Sequence, residues 1–202
     1  MMLRIHFLIV AAILLAACTT PGTQREREAT YDFGLPSTET AKAGSIAGSV
    51  LVPDVTSPEW LDSPGILYRL AYDNEARTRI YTLSRWVAPP ASLVTQELRS
   101  AVSLATKERL VLPQDGVGAD WVLRVELEAF SQVFDTPDRS RALVRMRATL
   151  IRASERRVVA QRTFASESPV ATADAAGGAK ALAQGAQGVV DAIVAWAAQE
   201  AR

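Results

Sequence analysis

Residues 121–129 read WVLRVELEA, with apolar side chains at the odd-numbered positions and charges at three of the even ones. This alternation is typical of a β-strand that has one buried face and one face in water. After a turn at residues 136–138 (TPD), residues 142–150 alternate in the same way. The two segments predict a pair of antiparallel strands joined by that turn.

The charges of the two predicted strands suggest their register. If the strands pair symmetrically about the turn, Glu126 lies opposite Arg147 and Glu128 lies opposite Arg145. Such pairs each contribute at most about 1 kcal/mol, so we expect them to fix the register more than the stability.

Other strands extend this pair into a sheet. Residues 158–164 predict a third strand, which completes an antiparallel meander. Upstream, residues 46–52 predict a strand, and residues 66–72 and 78–83 predict a hairpin. The expected fold is α/β: a mixed β-sheet, built from an N-terminal hairpin and a C-terminal antiparallel meander, with two main helices packed against it.

The two helices are predicted before and after the meander. Consecutive prolines at residues 89–90 suit the first turn of a helix, and the residues that follow place an apolar stripe at helical spacing. On this helix Thr95 and Arg99 are expected to point outward. The second helix covers residues 172–202. Its glycines at 177–178 each cost roughly 1 kcal/mol relative to alanine, so we expect broken or frayed first turns.

Residues 1–17 form a hydrophobic segment with the layout of a secretory signal. Its apolar run of about a dozen residues is shorter than the roughly 20 that span a bilayer. Residues 15–18 (LAAC) resemble a bacterial lipobox, which implies cleavage before Cys18 and lipid on its sulfur and new amino terminus. The alternative is an ordinary signal in which Cys18 is incidental. Thr19 rather than Asp follows, and the resemblance to sorted lipoproteins then favours the outer membrane.

The remaining chain divides into a tether and one domain. Residues 18–45 are largely polar and predict a lipid-anchored tether, and residues 46–202 predict a single α/β domain. Within the tether, Tyr31, Phe33 and Leu35 alternate with Asp32 and Gly34. They indicate either a short strand at the edge of the sheet or side chains that only touch the domain surface.

The composition excludes most catalytic devices. The single histidine, His6, lies inside the signal, and the single cysteine is Cys18. Nucleophilic catalysis assisted by an imidazole and zinc sites of Cys and His are therefore excluded from the mature chain. The chain has no glycine-rich phosphate loop, and 22 basic residues balance 22 acidic ones. We expect no catalytic residues, no metal, no cofactor and no nucleic-acid partner.

The region of the hairpin contains an ordered set of motifs. Residues 66–69 (ILYR) precede the hairpin, Tyr81 lies in its second strand, and residues 85–90 (RWVAPP) lead into a helix with spaced leucines. This set resembles the ABC-type transport auxiliary lipoprotein family, to which PqiC-like proteins belong. The match is close over about residues 51–102 and loose over the whole chain, lipobox included.

The resemblance implies a function as well as an α/β fold. Members of this family act beside ABC transporter components and MCE-domain proteins in moving lipids across the envelope. The chain would then be a non-enzymatic, lipid-anchored, periplasm-facing accessory that bridges such an assembly to the outer membrane. A homo-oligomeric ring is compatible with this role.

Candidate partner-binding residues lie in a proline-rich loop and in the hairpin, because loops and exposed aromatic side chains often carry function. The alternatives are that the loop residues fold back onto the core, that the arginines form a solvated face, and that the second tryptophan is structural. The candidates are Trp60, Leu61, Tyr68, Arg69, Arg77, Arg79, Arg85 and Trp86.

Two other functions are compatible with the sequence. A standalone lipid-binding lipoprotein, acting as a lipid shuttle or an envelope-assembly factor, would need an apolar cavity walled by Leu93, Leu98, Ile193 and Trp196. An envelope hydrolase would need a pocket that converges on Ser or Asp without a histidine.

Overall fold

The computed structural model describes residues 28–35 and 45–201. The predicted signal segment and Cys18 lie outside the described residues. Within these ranges the chain forms one mixed sheet of eight strands and three α-helices. The strands are β1 Ala29–Tyr31, β2 Val50–Leu51, β3 Gly65–Leu70, β4 Glu75–Trp86, β5 Leu110–Val111, β6 Trp121–Thr136, β7 Arg139–Arg152 and β8 Arg157–Pro169. The helices are α1 Ala71–Asn74, α2 Pro90–Ala105 and α3 Ala175–Glu200.

Strand β6 is the centre of the sheet. Along one edge it pairs antiparallel with β7, which pairs in turn with β8, so the predicted meander is confirmed. Along its other edge β6 pairs in parallel with β2 near its start and with β3 near its end. β3 and β4 form the predicted antiparallel hairpin, β1 joins the outer edge of β4, and β5 joins β2. The α/β fold predicted from the sequence is therefore correct.

The predicted register of β6 and β7 is confirmed over the first half of β6. Glu126 pairs with Arg147 as expected, but a β-bulge between Leu127 and Ala129 then brings Ala129, not Glu128, opposite Arg145. The bulge also changes which positions are buried, because it inserts one extra residue into a pattern of period two. Both predicted ion pairs still form: Arg147 lies 2.6 Å from Glu126, and Arg145 lies 2.9 Å from Glu128.

One face of the sheet is covered by α2 and α3, and we call it the inner face. Side chains from both helices and from the inner positions of β6 and β7 belong to one buried core. Helix α2 begins at Pro90 as predicted. Thr95 is buried, contrary to the expectation, because its hydroxyl accepts a hydrogen bond from the Val55 amide at 2.9 Å and donates one to the Ala91 carbonyl.

Helix α3 is continuous from Ala175, so its glycines do not break the first turns. Gly178 has a packing reason: a Cβ at this position would lie 2.1 Å from the side-chain oxygen of Gln132 on β6. The absence of that Cβ lets the helix approach the sheet closely. The Asp174 side chain accepts a hydrogen bond from the Gly177 amide at 2.7 Å and so caps the helix.

The first described residues belong to the sheet. Of the two alternatives for this segment, the edge strand is present, but it spans Ala29–Tyr31 and so ends before Phe33 and Leu35. Phe33 packs against the core, whereas Leu35 is 92% exposed. The strand expected over residues 46–52 is only two residues long, and the one expected over 158–164 extends to Pro169.

Candidate interaction surface

The register of the hairpin distributes the candidate residues over two faces. Tyr68 lies opposite Arg79, and Leu67 lies opposite Ile80. Because side chains alternate along a strand, Tyr68 and Arg79 share one face, while Leu67, Arg69 and Ile80 share the other. Tyr68 is on the inner face of the sheet, so Arg69 and Ile80 are on the outer face, where Leu67 is buried and Ile80 is exposed.

On the inner face, Tyr68 packs among other aromatic rings, with its centroid 4.6 Å from Tyr81 and 5.9 Å from Phe134. The Tyr81 hydroxyl donates to the side-chain oxygen of Gln132 at 3.0 Å, and the Gln132 amide donates to the Ser140 hydroxyl at 2.8 Å. Burial is the main cause that raises the pKa of Tyr81 above its ordinary value. Tyr68 therefore belongs to a network that joins the hairpin to the meander.

Two of the candidate arginines hold the end of the hairpin. The Arg69 guanidinium donates to the carbonyl oxygens of residues 75 and 76 at 3.0 and 3.3 Å. Arg79 forms an ion pair with Asp73 at 3.0 Å. Arg77 is exposed, and in the part of the chain that the structure describes we find no ion-pair partner for it. Among Arg69, Arg77 and Arg79, the guanidinium of Arg77 is therefore the one least engaged by the described residues.

The proline-rich loop contains a 3-10 helix, Glu59–Leu61, in which the two candidate residues differ. Leu61 is 1% exposed and belongs to the core, whereas Trp60 is 49% exposed. The guanidinium carbon of Arg69 lies 5.9 Å from the centre of the Trp60 ring, which is within cation–π distance. Leu61 thus folds back onto the core, as one alternative held, whereas Trp60 is exposed, as the other alternative requires.

The structure adds an exposed residue to this set. Ile80 is 55% exposed on the outer face of β4, and Tyr72 in α1 is 48% exposed. We define the hairpin outer surface as Trp60, Arg69 and Ile80. The sequence analysis selected aromatic residues and arginines and so missed Ile80. The sequence feature that could have revealed Ile80 is an apolar side chain between the charged and polar residues of residues 78–82 (TRIYT).

Arg85 and Trp86 do not belong to this surface. Trp86 is 1% exposed, and its ring lies 5.7 Å from Phe33 and 5.5 Å from Phe130. Arg85 forms an ion pair with Glu28 at 3.3 Å. The geometry favours the structural alternative for Trp86, and it gives Arg85 a role in holding the start of β1.

A polar groove of about 290 Å³ lies on the outer face of the meander. Its lining includes Asp54, Arg124, Glu126 and Arg147. Three of these charges are already paired, because Arg147 contacts Glu126 at 2.6 Å and Asp54 contacts Arg99 at 2.8 Å. The hydrogen bond that Arg147 donates to the Glu126 carboxylate is the main cause that raises the pKa of Arg147. Arg124 is thus the one of these four charges for which we find no ion pair among the described residues.

The cavity that a lipid carrier would need is not found at its predicted place. Leu93, Leu98, Ile193 and Trp196 are all buried in the continuous core, with exposed fractions from 0% to 7%. The 290 Å³ groove and a second groove of about 610 Å³ between the first described segment and α3 are lined by other residues. The core between the helices and the sheet therefore offers no support for a bound lipid.

Comparison with known families identifies the chain. The model of the ABC-type transport auxiliary lipoprotein component matches residues 31–194. The chain belongs to this family. The matched range includes the hairpin, the Trp60 loop and most of α3, so the resemblance seen at residues 66–90 is confirmed and extends over the C-terminal half.

Solved structures show that the fold of this auxiliary lipoprotein is shared. Protein XCC0632 from Xanthomonas campestris is 20% identical, with a TM-score of 0.71 over 85% of this chain and 95% of that one. A second crystal structure, of an uncharacterized protein, is 19% identical, with a TM-score of 0.64 over 85% of this chain and 98% of the other. At these identities the likeness concerns the fold alone. No curated protein matches the sequence.

Membership places this auxiliary lipoprotein with components of ABC-type transport. Among residues 28–35 and 45–201, no helix combines the length and apolar character needed to cross a bilayer. In the same ranges, we find no cluster of three or more His, Cys, Asp or Glu side chains arranged to hold a metal ion.

Proposed function

We propose that the chain is a non-enzymatic, lipid-anchored accessory of an ABC/MCE-type lipid-transport system, and that it bridges the transport assembly to the outer membrane. The hairpin outer surface carries this proposal, because Trp60 and Ile80 are each about half exposed on it and Trp60 lies beside the Arg69 guanidinium. Aromatic residues and arginine are enriched where proteins bind one another.

Several sequence features support the finer parts of the proposal. The lipobox at residues 15–18 supports anchoring through Cys18, and Thr19 supports the outer membrane. The lack of histidine in the mature chain supports a role without catalysis. The MCE-domain partner and the transported lipid come from the family resemblance.

Self-association is part of the same proposal. Among the described strands, β8 pairs only with β7, so the other edge of this 13-residue strand has free backbone donors and acceptors. An unpaired strand edge is a common site for the addition of another chain. Mass measurement of the purified lipidated protein in detergent distinguishes a monomer from a closed oligomer.

The function is tested by extracting the full-length lipidated protein from its own membranes and identifying co-purifying proteins by mass spectrometry. We expect an MCE-domain protein or a transporter ATPase, with recovery at least about tenfold lower for Ile80→Asp, which introduces a charge into the interface. Val117→Asp is the matched control, because Val117 is 62% exposed in the loop before β6 while Ile80 is 55% exposed on β4.

The outcomes separate the candidate functions. Equal loss of partner in both variants would place the interface elsewhere. A protein that comes away alone and carries stoichiometric lipid would contradict the accessory role and favour the lipid carrier.

A further inference from the structure

The first described segment, residues 28–35, is fixed to the domain. β1 pairs in parallel with the last residues of β4, and the Val87 amide donates to the Tyr31 carbonyl at 2.8 Å. Glu28 forms its ion pair with Arg85 just before this strand. The segment of residues 28–35 is therefore attached to the domain from its first residue, Glu28.

Phe33 strengthens this attachment beyond the strand. Its ring packs edge-on against Trp86 at 5.7 Å and lies 5.9 Å from Phe130. The Gln187 side chain on α3 donates to the Phe33 carbonyl at 3.0 Å. The segment thus contacts both the sheet and the helix, so its position relative to the domain is well defined.

The distance between this attachment and Cys18 has an upper limit. Nine residues lie between Cys18 and Glu28, and even fully extended, the ten steps from one Cα to the next span at most about 35 Å. A compact domain of this size has a radius of gyration of about 15 Å and hence a diameter of about 40 Å. If Cys18 is anchored in a bilayer, the side of the domain that holds β1 cannot face away from it.

This side of the domain exposes apolar side chains. Leu35 is 92% exposed and Val87 is 62% exposed. Both line the 610 Å³ groove between the first described segment and α3. Lys180 and Asp32 also line the groove, and Lys180 is exposed on α3. Exposed apolar groups beside a lysine suit the boundary between headgroups and acyl chains.

We propose that the anchor-proximal surface, defined by Leu35, Val87 and Lys180, rests on the lipid headgroups of the membrane that holds Cys18. The inference depends on the lipid anchor of the proposed function. It adds an orientation: β1 and Val87 face the membrane, while the Val117 loop, next to β5 at the other end of the sheet order, faces away from it.

The test uses the full-length lipidated protein, in which the Cys18 sulfur is blocked by lipid. A cysteine introduced by Val87→Cys is then the only reactive thiol, and it is labelled with a fluorophore that iodide quenches. Val117→Cys is the matched control, because Val117 and Val87 are both 62% exposed. Leu35→Cys gives a second reporter at a position where the side chain has no packing to lose.

Both labelled proteins are reconstituted into vesicles of phosphatidylethanolamine with a minority of phosphatidylglycerol. We expect iodide to quench the label at Val87→Cys roughly threefold less on vesicles than in detergent, because headgroups shield it, and to quench the Val117→Cys label equally in both. The Leu35→Cys label should follow Val87→Cys.

Equal quenching of all three labels on vesicles that carry the protein would overturn the proposed orientation and leave the anchor intact. A full-length protein that fails to float with the vesicles would overturn the anchor, and this inference with it. Partner recovery, measured separately, tests the accessory role, so the two failures are distinguishable.

Discussion

The hairpin β3–β4 and the meander β6–β8 belong to one sheet, but their outer faces differ in chemistry. On the meander, charges alternate with the buried positions and neutralise one another through Glu126, Glu128, Arg145 and Arg147. On the hairpin, Ile80 and the adjacent Trp60 are exposed instead. A polar, internally paired face needs no partner, whereas exposed apolar groups of this size gain free energy when another surface covers them.

The largest expected effect on stability distinguishes the buried Trp86 from the exposed Trp60. Trp86→Ala should destabilise the protein by about 3–5 kcal/mol, because it removes a buried ring that packs against Phe33 and Phe130. Trp60→Ala should cost less than about 1 kcal/mol, because half of its side chain is in water. Urea unfolding of the mature protein in detergent measures both. Similar losses would mean that Trp60 is structural.

The next largest effect concerns Gln132, which links the hairpin to the meander and contacts helix α3 at Gly178. Gly178→Ala should cost about 1–3 kcal/mol, because its Cβ would collide with Gln132, which links Tyr81 on the hairpin to Ser140 on the meander. Gly188→Ala on the same helix meets nothing within 4 Å, and should stabilise by up to about 1 kcal/mol. Thermal unfolding compares the two; destabilisation of equal size would contradict the specific contact.

A smaller effect concerns the carboxyl groups of Glu97 on α2 and Asp191 on α3, for which we find no ion pair among the described residues. Burial, and then the charge of Asp191, raise the pKa of Glu97 above its ordinary value of 4.5. The folded state therefore binds this proton more tightly than the unfolded state does, so the stability falls as pH rises above 4.5 through the raised pKa. Glu97→Gln should stabilise by less than about 1 kcal/mol at neutral pH and make no difference below about pH 4.

Urea unfolding at several pH values measures this difference. A gain for Glu97→Gln that stays the same at acidic and neutral pH would show that the carboxyl charge is not its cause.

The smallest effect tests the paired face of the meander. Arg147→Ala should lower the free energy of unfolding less than Gly178→Ala does, and still less at high salt, because both partners of its pair with Glu126 are 41% exposed. Arg124→Ala is the control, since Arg124 lies on the same face and we find no ion pair for it among the described residues. A loss as large as that of Gly178→Ala would mean that the pair contributes more than register.

The polar outer face of the meander could be predicted from the sequence. Alternation predicted the meander and both ion pairs because a half-buried strand separates apolar from charged side chains at every second residue. The β-bulge after Leu127 was not predictable, because neither Glu128 nor Ala129 distinguishes an insertion from regular pairing. Trp60 and Leu61 are neighbours of similar character, and only the orientation of their 3-10 helix makes one exposed and the other buried.

The sequence by itself determined the class of fold, the strands of the meander, the start of α2 at Pro90 and the family, because local periodicity and short motifs encode them. Only the tertiary structure decided which face of the sheet the helices cover, and hence that Tyr68 is on the inner face and Arg69 on the outer one. It also decided that the segment at Tyr31 is fixed to β4. These features depend on contacts between residues far apart in the chain, and no local pattern contains that information.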